Sequence, residues 1–173
     1  ELLDEALGRL RRMAVSRPLI VERPEWDKAR RDAALDRLRA ARADGGALLL
    51  GVQGGSLSEG VDYDGNVLAA VVVVGLPVSP PTVESEALRD YYARKFGSAK
   101  GYDYAYVFPA VNRVLQAAGR PIRSETDRAA IVLLEGRLLS PHYARCLPVD
   151  FAARPTGAPA REVHRFLAAR APT

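Results

Sequence analysis

An α/β fold, a three-layer sandwich around a mostly parallel sheet, is what this sequence calls for. Ala47-Leu-Leu-Leu-Gly-Val52, Leu68-Ala-Ala-Val-Val-Val-Val74 and Ala129-Ala-Ile-Val-Leu-Leu134 are apolar without alternation. Runs of that kind suit strands covered on both faces. Segments with helical periodicity lie between them, and strand alternating with helix puts the connections on the faces of a parallel sheet.

Leu3, Leu7, Leu10 and Ala14 recur at helical spacing, so residues 2–14 read as an amphipathic helix that ends before Pro18. Leu19-Ile-Val-Glu22 is a short strand. From Pro24 the chain offers Trp26, Ala29, Ala33, Ala34, Leu38 and Ala41 among many charges, a long surface helix stopped by Gly45-Gly46. The strand at 47–52 follows. The run at 68–74 is the central strand and ends in Gly75-Leu-Pro77, with Pro80-Pro81 beyond it. Glu84 to Phe96 reads as a helix and Gly97 to Asp103 as a loop. Val107, Val111, Val114, Leu115 and Ala118 fall on one side of a further helix, and residues 129–134 supply the last buried strand. We expect one compact domain over residues 1–147 and an Ala/Pro/Arg-rich extension with a short helix over 148–173.

A chain of 173 residues can bury a real core but is short for two motor-sized domains. Its net charge of +4 favours an anionic partner without requiring one, since no single basic tract dominates and many arginines are interleaved with Asp and Glu. Cys146 is the only cysteine, which excludes an intramolecular disulfide and any cysteine-built metal or iron–sulfur site within this chain. An intracellular, reducing compartment fits. No apolar run approaches the roughly 20 residues of a bilayer span, and no signal peptide opens the sequence. The start at Glu1 rather than Met leads us to expect a piece of a longer protein.

Two segments carry the chemistry. Gly54-Gly-Ser-Leu-Ser-Glu59-Gly60-Val-Asp62 is a glycine-rich acidic loop coming off an apolar strand, the end at which open parallel sheets bind ligands. Gln116-Ala-Ala-Gly119-Arg120-Pro-Ile-Arg123-Ser-Glu-Thr-Asp127 sets two arginines behind a glycine at a helix end. Guanidinium groups are planar, permanently charged forks of donors, and two on one short turn can converge on phosphate oxygens. The same arginines could instead cap carbonyls, with Asp127 simply holding Arg123, and Glu59 and Asp62 could cap the turn after the strand. His142 and His164 are isolated and suit ordinary polar contacts. Cys146 suits a small core position. Tyr91, Tyr92, Tyr102, Tyr104 and Tyr106 lie near Arg94, Lys95 and Lys100, a composition that fits either the rim of a core or single-strand binding.

Together the two segments resemble motifs V and VI of superfamily 2 helicases, in particular the XPD/DinG-like group of 5′ to 3′ DNA helicases. Gly55, Glu59, Gly60, Val61 and Asp62 match Gly-x-x-x-Glu-Gly-Ile-Asp with Val for Ile, and Gln116, Gly119, Arg120 and Arg123 match Gln-x-x-Gly-Arg-x-x-Arg throughout. Asp127 occupies the position of that group's Asp after the final arginine, and Gly75-Leu-Pro77 matches its Gly-Leu-Pro. Ala129 and Glu135-Gly-Arg137 depart from its Gly and Asp-x-Arg. The likeness runs from about Leu19 to about Arg137.

This resemblance implies the second RecA-like domain of a helicase motor, lacking its first strand. Arg123 would be the arginine finger and Arg120 its companion at the γ-phosphate of ATP, with Gln116 and Gly119 beside the nucleotide. Glu59 would bind the nucleotide, Gly60 and Asp62 would lie near its sugar and phosphates, and Gly54, Gly55 and Ser56 would contact single-stranded DNA. No Gly-x-x-x-x-Gly-Lys-Ser/Thr and no Mg²⁺-holding acidic motif is present, and Gly97-Ser-Ala-Lys100-Gly lacks the spacing. ATP and Mg²⁺ would therefore be held mainly by a first motor domain, and an iron–sulfur cluster could belong only to that other part. The partners implied are single-stranded DNA, the first motor domain and repair-complex proteins. The alternatives are a nucleic-acid-binding or protein-docking domain that kept this fold without motor function, and an unrelated α/β nucleotide enzyme.

Overall fold

The computed structural model describes residues 5, 7–9, 12, 16–57, 61, 63 and 67–169. Leu3, Leu10 and Ala14 of the first expected helix lie outside them; Glu5, Leu7, Gly8, Arg9 and Arg12 are helical. The chain forms two compact units, Glu1–Val67 and Leu68–Thr173.

In the first unit, β1 (Leu19–Val21) and β2 (Leu48–Leu50) pair in parallel with Ile20 opposite Leu49. Ile20 is buried, and the strands are joined through α1 (Lys28–Ala40), which buries Ala34, Leu35 and Leu38. The helix starts later than Pro24 because Asp27 caps it, its side chain accepting from the Arg30 amide at 2.8 Å. Beyond Ala41 the chain turns through Gly45 (φ 88°) and Gly46 (φ 92°), a left-handed pair that side chains resist.

In the second unit β3 (Ala70–Val74) and β4 (Ala130–Leu134) pair in parallel, Val73 opposite Leu133. Val71, Val73 and Leu133 pack on one side against Val107, Ala110, Val111 and Val114, the apolar stripe leading into and along α4 (Phe108–Ala118). Val72, Val74 and Leu134 on the other side stay exposed. The burial on both faces expected from an unbroken apolar run thus holds on one face only. The α/β fold with parallel strands stands.

Helix α2 (Val83–Phe96) opens with a capping box between Thr82 and Ser85. The expected loop over 97–103 is helical instead. Gly97 (φ 95°) breaks the chain once, and α3 (Ser98–Tyr102) then runs through a π-helical turn (Asp103–Val107) directly into α4. Gly97 serves the break and Gly101 serves packing: a Cβ on Gly101 would lie 2.5 Å from the Arg89 carbonyl oxygen and 2.8 Å from the Ala93 Cβ of α2. Asp103 is buried at the turn, and its carboxylate is 2.6 Å from the Arg145 guanidinium and 3.0 Å from His142 Nε2.

After β4 come a 3₁₀ turn (Gly136–Leu139), α5 (Pro141–Ala144) and, in the extension, α6 (Pro159–Ala168). Arg128 ties α6 down. Its guanidinium donates to the carbonyls of Phe166 (2.7 Å) and Ala169 (2.6 Å) at the helix end, where the backbone is electronegative, and lies over the Phe166 ring. Among the described residues no helix is long and apolar enough to cross a membrane.

Candidate functional site

The loop that leaves β2 is shaped by a residue that its own sequence does not announce. Glu22, one residue past β1, is 5% exposed, and its carboxylate accepts from the Val52 amide (3.1 Å), the Ser56 hydroxyl (2.8 Å) and the Leu57 amide (3.0 Å). Burying a carboxylate is tolerated when donors surround it, and here the loop supplies them. Two glycines make room. A Cβ on Gly51 would sit 2.8 Å from Glu22 Oε2, and one on Gly55 would sit 2.7 Å from the same atom and 2.8 Å from the Val52 carbonyl oxygen. Gly54 (φ 80°) makes the reversal itself, and the Gly55 amide donates to the Val52 carbonyl (2.8 Å). Tyr63 anchors the far end by donating to the Leu57 carbonyl (2.7 Å).

Of the sequence-picked residues here, Gly54, Gly55 and Ser56 lie on one tight turn. The Ser56 hydroxyl gives its proton to Glu22, so anything it offers to a phosphate must come from its backbone. Glu59, Gly60 and Asp62 lie outside the described residues. Glu22 was missed because its partners are 30 to 35 positions away. The signal available was a Glu ending an apolar strand, which by itself says little.

The arginine segment is built differently. Helix α4 ends at Gly119, in right-handed backbone (φ −77°), with its amide on the Leu115 carbonyl at 2.8 Å. Gly119 is there for closeness rather than for handedness: an added Cβ would press on that carbonyl at 3.3 Å. The chain then turns, and Asp127 grips the turn from its far end. One carboxylate oxygen accepts from the Arg123 and Ser124 amides, each at 2.8 Å. The Arg123 amide, then that of Ser124, holds the Asp127 carboxyl below its ordinary range.

Asp127 therefore holds Arg123 by its backbone; Arg123 is an exposed residue and Arg120 a half-buried one. Gln116, Gly119, Arg120 and Arg123 line one open depression of about 450 Å³, together with Leu115 and Ile122. Four residues picked from the sequence thus line one depression.

Elsewhere the residues have structural work. Glu135 and Arg137 form a two-pronged pair, with Arg137 Nε 2.9 Å and Nη2 2.7 Å from the carboxylate, and that pairing pulls the Glu135 carboxyl down. His142 is paired with Asp103, and Cys146 packs against the core. The buried Tyr106 hydroxyl donates to Glu86, which raises the phenol above its usual range. Among the described residues no group of three or more His, Cys, Asp or Glu is arranged to hold a metal.

Strands that pair in parallel with helices between them define a parallel α/β protein. The chain belongs to the helicase C-terminal domain family, which it matches over residues 1–153. Its relatives include proteins named as ATP-dependent DNA helicases of the Chl1, XPD and DinG types. Chl1 of Aspergillus clavatus is 29% identical over 179 residues, covering 89% of this chain and 24% of that protein. XPD of Sulfolobus acidocaldarius is 27% identical over 151 residues (85% and 25%), and DinG of Photobacterium profundum is 31% identical over 93 residues (54% and 13%). The chain thus spans about a quarter or less of the length of these relatives.

Proposed function

We propose that this chain is the second motor domain of an ATP-dependent 5′ to 3′ DNA helicase that acts in DNA repair inside the cell. One observation carries the reading: Gln116, Gly119, Arg120 and Arg123, matched to the helicase motif residue by residue, line a single depression at the end of α4. Family membership supports it.

In this reading ATP is the substrate, held mainly by a first motor domain of the same protein. Arg123 is the arginine finger and Arg120 its companion. Charge builds on the γ-phosphoryl oxygens as the bond to the leaving phosphate breaks, and an arginine fork placed there is worth about 10³ to 10⁵ in rate. Gln116 and Gly119 border the nucleotide, and Glu59, Gly60 and Asp62 contact its sugar and phosphates. Gly54, Gly55 and Ser56 meet single-stranded DNA through the backbone of the loop that Glu22 shapes. A finger that acts only when two halves meet couples hydrolysis to closure, and each cycle shifts the strand. Magnesium, and any iron–sulfur cluster, are assigned to the part outside this chain.

The test is a comparison of lengths. The full-length protein should hydrolyse ATP in a DNA-stimulated manner and unwind a duplex with a 5′ tail, and this chain alone should show no steady turnover. Turnover by the chain alone would contradict the division of labour. DNA binding by the full-length protein without hydrolysis would favour the binding-module alternative.

A further inference from the structure

Helix α2 leaves an aromatic ridge in solvent that neither the core nor the arginine segment uses. It is a fourteen-residue helix with no fully buried residue. Near its end Tyr92 stacks on Tyr104 of the π-helical turn, ring centres 4.3 Å apart and planes 18° apart. Phe96 lies in the same stack, 6.0 Å from Tyr92 and 5.7 Å from Tyr104, and Tyr91 meets Tyr92 edge-on at 5.2 Å. Tyr91 and Phe96 are each 49% exposed and Tyr104 is 38% exposed, and Tyr92 is half-buried among them. An aromatic cluster that served packing alone would forfeit about half of the burial such rings can give.

Charge sorts around this ridge. Lys95 Nζ lies 5.8 Å from the Tyr91 ring centre and 5.3 Å from that of Phe96. Arg94 is three residues from Tyr91 and Lys100 four from Tyr104, spacings that share a helix face. The acids nearby are taken: Arg89 pairs with Glu86 (2.6 Å) and Asp90 (3.0 Å), and Asp103 is buried against Arg145. Among the described residues no carboxylate pairs with Arg94, Lys95 or Lys100. Solvent-exposed rings beside cations that pair with no carboxylate among the described residues match one ligand chemistry, a flexible polyanion carrying flat apolar groups.

We propose that Tyr91, Tyr92, Phe96 and Tyr104, with Arg94, Lys95 and Lys100, form a base-stacking contact for single-stranded DNA. The exposed rings offer faces on which successive bases stack whatever their identity, and the three cations neutralise the phosphates between them. The contact rests on the helicase reading above and adds to it a binding surface apart from the glycine loop. It gives the domain a hold on the strand that depends on bases as well as on the sugar–phosphate chain.

The experiment uses the full-length protein, an oligo(dT) strand and an abasic strand of the same length, with binding followed by fluorescence anisotropy. Tyr91→Ala and Phe96→Ala, prepared separately, should each weaken oligo(dT) binding roughly fivefold or more and leave abasic binding within about twofold. Lys95→Gln should weaken both strands alike and lower the salt dependence by about one phosphate contact. Ring variants that bind oligo(dT) like the parent, or that lose both strands equally, overturn the proposal. Photo-crosslinking of the unmodified protein to a strand carrying 5-iodouracil gives a readout free of folding effects: adducts at Tyr91, Phe96 or Tyr104 are expected, and adducts confined to other positions overturn it. A full-length protein that binds neither strand would instead remove the helicase reading on which the contact rests.

Discussion

The loop after β2 and the turn after α4 are both held by one carboxylate that accepts from backbone amides, yet one carboxylate is buried and the other is in solvent. Glu22 reaches its loop from a different strand, surrounded by Val52, Ser56 and Leu57, with Gly51 and Gly55 cleared of side chains to admit it. Asp127 is local, reaching back three and four residues to Ser124 and Arg123. The first arrangement depends on long-range folding and tolerates little change. The second is a self-contained turn whose hold is on backbone amides. In the proposed reading the segment that presents arginines to a nucleotide uses the second design, and the loop that presents backbone uses the first.

Three substitutions probe that contrast. Glu22→Ala leaves the Val52 and Leu57 amides without their acceptor, so thermal or denaturant unfolding of the chain should lose about 3 kcal/mol. An effect no larger than that of Asp127→Asn would erase the distinction between the two carboxylates. Gly51→Ala places a methyl group 2.8 Å from the Glu22 carboxylate and should cost about 1–3 kcal/mol. Combined with Glu22→Ala that cost should largely vanish, and simple additivity in the double-mutant cycle would show that the glycine serves another purpose.

Asp127→Asn should have the smallest effect, a local loosening seen as faster amide exchange at Arg123 and Ser124. Acid should mimic it. The Asp127 carboxyl titrates below its unfolded value of 3.8 in the folded chain, so its grip is complete above that value and is lost as pH falls through the lower folded one. Amide protection at Arg123 and Ser124 that stays constant as the carboxyl titrates would show that the turn holds itself without Asp127.

Much of this was legible from the residues. The apolar runs at 47–52, 68–74 and 129–134 each contain an observed strand, because burial of Val and Leu on at least one face requires it. The helix read from Glu84 starts one residue earlier, where Thr82 caps it. The arginine segment was legible because its spacing is local: Gln116 to Asp127 lies within a helix end and one turn. Distant partners were not legible. Glu22 and Asp103 act on groups thirty or more positions away, and nothing in their immediate neighbours marks them. The Gly97–Gly101 stretch misled because glycine signals turn and close approach alike, and only the α2 backbone beside Gly101 decides between them.

Arg123 is, in the proposed function, the group that meets the transferring phosphate. Single-turnover ATP hydrolysis by the full-length protein carrying Arg123→Ala, with single-stranded DNA affinity measured on the same preparation, tests it most directly. Hydrolysis should fall by about 10³ to 10⁵ with DNA affinity within a few-fold of the parent. Hydrolysis at the parent rate would contradict the assignment.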